Sequence, residues 1–225
     1  PTLITGNFTL GENSDNLMVE GVQFANAILT NFNVSASFVS FKRCRINGGI
    51  NFQGDGSTNL SINNAFTECV LIGDLTLPNL TNSGVFNCII QNRLLSSKSN
   101  VFKNSIFLYN NGIGDGVMHS PYYNEFSNNI FIIANPAYLI YHVNDGNIHN
   151  NNLFVGATPN YGTNSIVSGN YTGVSLTSIF VSHSGYAFNY SSDFHLQSPT
   201  SYIGNDASQV GIYGGYFPFK AGAVP

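Results

Sequence analysis

The sequence predicts an all-β protein wound as a parallel β-helix, a solenoid of about eight to ten coils. Three observations lead there: a composition rich in turn formers, a short phrase repeated about every twenty residues, and brief apolar runs between turn signals. Of 225 residues, 33 are Asn, 24 Ser, 13 Thr and 23 Gly, while only 8% are charged. Asn, Gly, Ser and Thr are poor helix formers and good turn formers, so a helical bundle is excluded. Hydrophobic residues make up 43%, enough for a buried core and too many for a disordered tail.

The repeats follow in chain order. The phrase reads Phe24-Ala-Asn-Ala-Ile-Leu29, Phe41-Lys-Arg-Cys-Arg-Ile46, Phe66-Thr-Glu-Cys-Val-Leu71 and Val85-Phe-Asn-Cys-Ile-Ile90. It continues as Phe102-Lys-Asn-Ser-Ile-Phe107 and Phe126-Ser-Asn-Asn-Ile-Phe131, then more weakly as Ile148-His-Asn-Asn-Asn-Leu153 and Val167-Ser-Gly-Asn-Tyr-Thr172. The starts are 17 to 25 residues apart. Position one is always large and apolar. Position four is Ala27, Cys44, Cys69, Cys88, Ser105, Asn129, Asn151 and Asn170, always a small or amide side chain. Identical sites recurring copy after copy indicate stacked coils that contact only their neighbours. Apolar runs of four to six residues, rich in Ile, Val and Phe and bounded by Asn, Gly and Ser, read as short strands. Stacking buries the apolar residues in one column and pairs backbone groups between coils. Asn129, Asn151 and Asn170 are expected to form an amide ladder. The alternative, an antiparallel sandwich, lacks regular hairpin partners for the phrase. Residues 1–192 are assigned to coils, and 193–225 to a cap over the last coil running into the start of a linker.

The tail carries a family resemblance. It reads Asp193-Phe-His-Leu-Gln-Ser-Pro199, Ile203-Gly-Asn-Asp206, Gln209-Val-Gly-Ile-Tyr-Gly-Gly215 and Phe217-Pro-Phe-Lys220. It is similar to the closing segment of secreted right-handed β-helix proteins of Bacteroidetes-type bacteria, departing at Thr200-Ser201-Tyr202. The coil phrase resembles the repeat of pectate-lyase-like proteins. The resemblance implies a right-handed coil, an extracellular or bacterial cell-surface location, and membership of a longer chain or surface assembly. Some members of the family degrade polysaccharides, so the activity is left open.

Charge and motifs narrow the function. Seven Lys plus Arg against eleven Asp plus Glu give −4, which argues against a nucleic-acid partner. No run approaches the ~18 apolar residues of a membrane helix. The three cysteines share position four of consecutive copies, which favours a buried stack of free thiols over a metal site. Lys42, Arg43 and Arg45 are the densest charge. The family's lyase logic sets such a base beside calcium held by clustered acids, but Asp55, Glu68 and Asp74 each stand alone. Arg43 and Glu68 share position three and are expected to pair across coils. Asp55, Asp115 and Asp145 read as Asp-Gly turns. The histidines 119, 142, 149, 183 and 195 are scattered, without a recognisable nucleophile elbow. All 12 Tyr follow residue 108. Tyr122, Tyr123, Tyr138 and Tyr141 are the candidate ligand-binding residues, because a tyrosine offers a flat apolar face and a hydroxyl to a sugar. The expectation is a non-catalytic secreted or surface scaffold or adhesion module with weak glycan contact, its partner a polysaccharide or cell-surface component. No cofactor and no metal are expected. The alternative is a polysaccharide lyase or glycoside hydrolase of the pectate-lyase-like class.

Overall fold

The computed structural model describes residues 2–30, 35–52, 60–78, 80–110, 117–134, 140–141, 146–156, 159–216 and 218–220. Strands of mostly three to five residues stack into three parallel sheets of nine, seven and eight strands, named here A, B and C in the order the chain visits them. Among the described residues there is no α-helix, only single 3₁₀ turns at Leu176–Ser178 and Pro199–Ser201. The body is a parallel β-solenoid of about six turns. Among the described residues a further coil contributes only Ile140–Tyr141 to sheet B, and later coils show no strand there. Full turns are therefore fewer than the eight to ten expected, because sheet B ends while sheets A and C continue. After Val155 the chain turns through Gly156 and later Gly162, and glycine has little strand preference.

Each coil turns from sheet C into sheet A at one corner residue with positive φ. Gly21, Arg43, Glu68, Asn87, Asn104, Asn128, Asn151 and Gly169 hold this position, with φ between 51° and 68°. Asn and Gly reach that region at low cost, which is why Asn recurs at position three. The inward residue of sheet C runs in register as Val19, Phe41, Phe66, Val85, Phe102, Phe126, His149 and Val167. Sheet A contributes Phe24, Ile46, Leu71, Ile90, Phe107, Phe131 and Phe154. Two copies of the phrase are thus out of register. Phe24 belongs to sheet A, so the first copy starts at Val19; apolar residues five apart fit the phrase in either phase. His149, not Ile148, is the inward residue of its copy, and its polarity disguised it. Rings repeat at about the coil spacing: Phe41–Phe66 at 5.2 Å, Phe102–Phe126 at 5.0 Å, Phe107–Phe131 at 4.6 Å and Phe131–Phe154 at 4.8 Å.

Position four forms one continuous ladder of changing chemistry. The N–H of Cys44 points at the Cys69 sulfur (3.4 Å), that of Cys69 at Cys88 (3.3 Å), and that of Cys88 at the Ser105 hydroxyl (3.1 Å). Ser105 N–H then donates to Asn129 Oδ1, Asn129 to Asn152, and Asn152 to Asn170, at 2.9, 2.9 and 2.7 Å. The amide ladder therefore runs through Asn152; Asn151 is a corner residue. All three cysteines are buried and unpaired in disulfides. Burial pushes the Cys69 thiol far up, so it is protonated at any physiological pH. A second ladder, not anticipated, lines the turn from sheet B to C. There Val39, Asn64, Ser83, Asn100 and Asn124 each donate a backbone N–H to the side-chain oxygen one coil on, of Asn64, Ser83, Asn100, Asn124 and Asn147, at 2.8–3.0 Å. Each such bond satisfies a buried turn N–H that would otherwise be costly.

A second core lies outside the solenoid. From the fourth coil onward the outward residues of sheet A are apolar too: Val70, Ile89, Ile106, Ile130, Leu153 and, one strand position later, Leu108 and Ile132. The preceding coils place Gln23 and Arg45 there. The C-terminal segment covers this apolar face with Ile179, Phe180, Phe194, Leu196, Val210, Ile212 and Phe219. It starts with an antiparallel pair, Phe180–Ser182 with Asp193–Leu196. It then returns along the A–C corner toward earlier coils. Ile203 meets Asn151 and Tyr171; Asn205 and Gly211 meet Asn128; Ile212 and Gly214 accept from Asn87. Residues 193–220 therefore strap the flank over several coils and do not simply cover the last one.

Candidate functional site

The strap and sheet C enclose a groove of about 390 Å³. Its floor is one file of outward side chains in register on successive coils: Lys42, Thr67, Phe86 and Lys103. The outward position of sheet C is free to carry such residues because the inward position supplies the core. One wall is the corner pair Asn87 and Asn104; the other is the strap's Asp206, Gly215 and Tyr216. Asn87 Nδ2 is fully used, donating to Ile212 O at 2.9 Å and Gly214 O at 2.8 Å. One coil on, Asn104 is equally buried, but its Oδ1 has no partner. Gly215 crosses directly over it at φ 73°, and a Cβ there would stand 2.1 Å from Asn104 Nδ2. Only glycine lets the strap pass so close.

Each lysine of the groove is paired with a carboxylate. Lys103 Nζ lies 3.5 Å from Asp206 Oδ2. Burial pushes the Asp206 carboxyl up, but bonds from Ser208 and the Lys103 ammonium outweigh it and hold the group below its ordinary range. Lys42 Nζ is 4.0 Å from Glu68 Oε1. Glu68 is 3% exposed, and its Oε2 has no partner. Tyr216 stands almost fully exposed at the mouth, 93% accessible. The arrangement offers two cations, an aromatic face and an unmet buried acceptor.

The residues singled out from sequence are dispersed around this groove. Arg43 pairs with Glu20, not with Glu68 as expected; Glu68 turns to Lys42. Arg45 bonds Tyr190 Oη at 2.9 Å, its guanidinium 5.1 Å from that ring's centre. Asp74 pairs with Arg93 at 2.6 Å. Tyr122 and Tyr123 are exposed near the turn from sheet B to C, Tyr123 with φ 51° and its ring over Gly146. They do not line the groove. Tyr141 pairs with His119 through its backbone, and its side chain is not described. Tyr138, His142, Asp55, Asp115 and Asp145 lie outside the described residues. His149 is core, stacked on Phe126 at 5.1 Å. His195 sits on Asp193 at 2.5 Å and stacks on Tyr213 at 3.8 Å. Among the described residues no three His, Cys, Asp or Glu gather as metal ligands.

The groove residues were missed because register, not sequence distance, brings them together. In the sequence Lys42 stands out only as part of a basic cluster. The signal for the file was the second position of the phrase, read down the copies: Lys, Thr, Phe, Lys. No protein-family model, no curated protein and no solved structure matches the chain.

Proposed function

We propose that the chain is a secreted or cell-surface β-solenoid module, a non-catalytic scaffold along its body, that holds a saccharide in the groove between sheet C and the strap. The observation that carries this reading is Asn104 Oδ1, a buried acceptor without a partner, set among two lysines and an aromatic face. Such an acceptor costs free energy unless a ligand donor meets it, and sugar hydroxyls are donors. Phe86 offers its face to the apolar side of a pyranose, and Lys42 and Lys103 favour sugars that carry carboxylates. We take the solenoid as right-handed, the hand that parallel crossover connections almost always adopt. Tyr122, Tyr123, Tyr138 and Tyr141 are kept as a second proposed set of contacts for the same kind of ligand, of which Tyr122 and Tyr123 are exposed.

Calorimetric titration of the intact chain with uronic-acid and neutral oligosaccharides of equal length tests the proposal. Uronate binding should weaken at least tenfold in Lys103→Ala and Asn104→Leu. Affinity lost only in Tyr122→Ala would move the site to the tyrosines. Affinity for neither sugar would refute glycan binding. A second reading, a polysaccharide lyase or hydrolase, draws on the Lys42–Glu68 pair as base and acid. It requires turnover in the same samples: absorbance of unsaturated product or new reducing ends, abolished by Lys42→Ala.

A further inference from the structure

The antiparallel pair Phe180–Ser182 and Asp193–Leu196 is joined by the loop 183–192. That loop wraps a cavity of about 610 Å³, separate from the groove on sheet C and lined by His183, Ser184, Tyr186, Phe188 and Ser192 among others. Inside it His183 Nδ1 lies 2.9 Å from Ser192 Oγ, and His183 Nε2 lies 3.1 Å from the Gly185 carbonyl. The carbonyl can only accept, so in the neutral ring Nε2 carries the proton. Nδ1 then presents its lone pair to the serine, whose hydroxyl donates. Gly185 takes φ 139°, a conformation that side chains rarely adopt, in the turn that sets its carbonyl against the ring. The ring is held by Phe194 at 4.4 Å and Phe180 at 5.7 Å. Burial moves the His183 pKa down, partly countered by the Gly185 carbonyl, so the ring is neutral at pH 7. The serine side is fixed as well. Ser192 N–H donates to Asn189 O at 3.0 Å, while Ser191 uses its N–H and hydroxyl on Asn189 Oδ1.

A hydroxyl on a neutral imidazole that is oriented by a third group is the arrangement of an activated nucleophile. We propose that Ser192 and His183 form a nucleophile–base pair that cleaves short-chain acyl esters in this cavity. Ser192 Oγ adds to the ester carbonyl while its proton passes to His183 Nδ1. The ester C–O bond breaks, and the leaving alkoxide takes that proton, leaving the acyl group on Ser192. Water then attacks the acyl-serine, giving its proton to His183, which returns it to Ser192 Oγ as the carboxylic acid departs. The cavity is large enough for a small acyl group and the first part of an alcohol. The inference is independent of the groove on sheet C.

The test treats the intact chain with a fluorophosphonate probe and, separately, with p-nitrophenyl acetate. The expected result is one phosphonyl adduct mapping to Ser192 in the folded protein and none after heat unfolding. Ester turnover should fall about a hundredfold or more in Ser192→Ala and His183→Gln, the scale of a lost base or nucleophile. Ser201→Ala, an exposed serine outside the cavity, should keep both signals, and turnover should decline as His183 protonates at lower pH. A folded wild-type chain without an adduct at Ser192 refutes the proposal, as does turnover retained in Ser192→Ala. Either would leave the pair as a staple closing the loop, with a lower melting temperature in Ser192→Ala as its trace.

Discussion

Replacing His149 with phenylalanine should remove a specific acid weakness. His149 occupies the inward file of sheet C, where other coils place Phe41, Phe66, Phe102 and Phe126. It is fully buried, and neither ring nitrogen has a partner. Burial lowers its pKa from 6.5 to about 4. The folded state therefore binds this proton later than the unfolded chain does. The stability it allows is full above pH 6.5 and falls as pH drops, at about 1.4 kcal/mol per unit, until the folded pKa is reached. The loss by pH 4 is about 3 kcal/mol. Urea melts of wild type and His149→Phe between pH 7.5 and 4 would measure it. The variant should be at least as stable at pH 7.5, since phenyl stacks on Phe126 without stranding two nitrogens. Its advantage should then grow by about 3 kcal/mol toward pH 4. Taking the difference between the two proteins cancels carboxylates such as Asp193 and Asp206, held below their ordinary pKa, which weaken the fold only at lower pH. A difference that stays constant across the range would show that His149 does not titrate as a buried group, and would refute the reasoning.

Three further outcomes are expected. A thiol reagent should find no reactive cysteine in the folded protein and three after denaturation; one would mean a disulfide. Asn129→Ala should cost about 2–5 kcal/mol in a urea melt, because it strands both the Ser105 N–H and the Phe102 carbonyl; a cost under 1 kcal/mol would show the ladder to be dispensable. Ile212→Asp should loosen the strap and expose the outer face of sheet A, giving dye binding and aggregation that Asp15→Asn, on an exposed loop, does not; a soluble, unchanged variant would show that the outer core is not needed.

The solenoid was legible because its stacking repeats a chemical requirement. Cys44, Cys69, Cys88 and Ser105 reveal a narrow buried site, and the recurring Asn reveals a corner with positive φ. The phase of the repeat was less legible wherever two neighbouring residues met the same requirement. Phe24 and Val19 are both apolar, and Ile148 hid His149. The second ladder escaped notice because Asn64, Ser83, Asn100, Asn124 and Asn147 resemble ordinary turn residues one copy at a time. The position of the tail was written in sheet A: Ile106–Tyr109 and Ile130–Ile133 are apolar on both faces, the mark of a strand covered on both sides. The groove and the Ser192–His183 pair depend on where that tail lies, which no local pattern encodes.

The flank strap also changes how the molecule comes apart. A bare solenoid behaves as a row of dominoes, each coil held only by the next, so that melting can begin at either end and spread. Here one segment grips the corners at Asn87, Asn128 and Asn151 at once. Those coils cannot open singly; they share one opening event. The coils before them are held less firmly: the one turning at Arg43 meets the C-terminal segment through Arg45 and the exposed Tyr190. Amide hydrogen exchange should therefore divide the chain into two blocks, a graded one that frays outward from Thr2 and a slow one that opens as a unit.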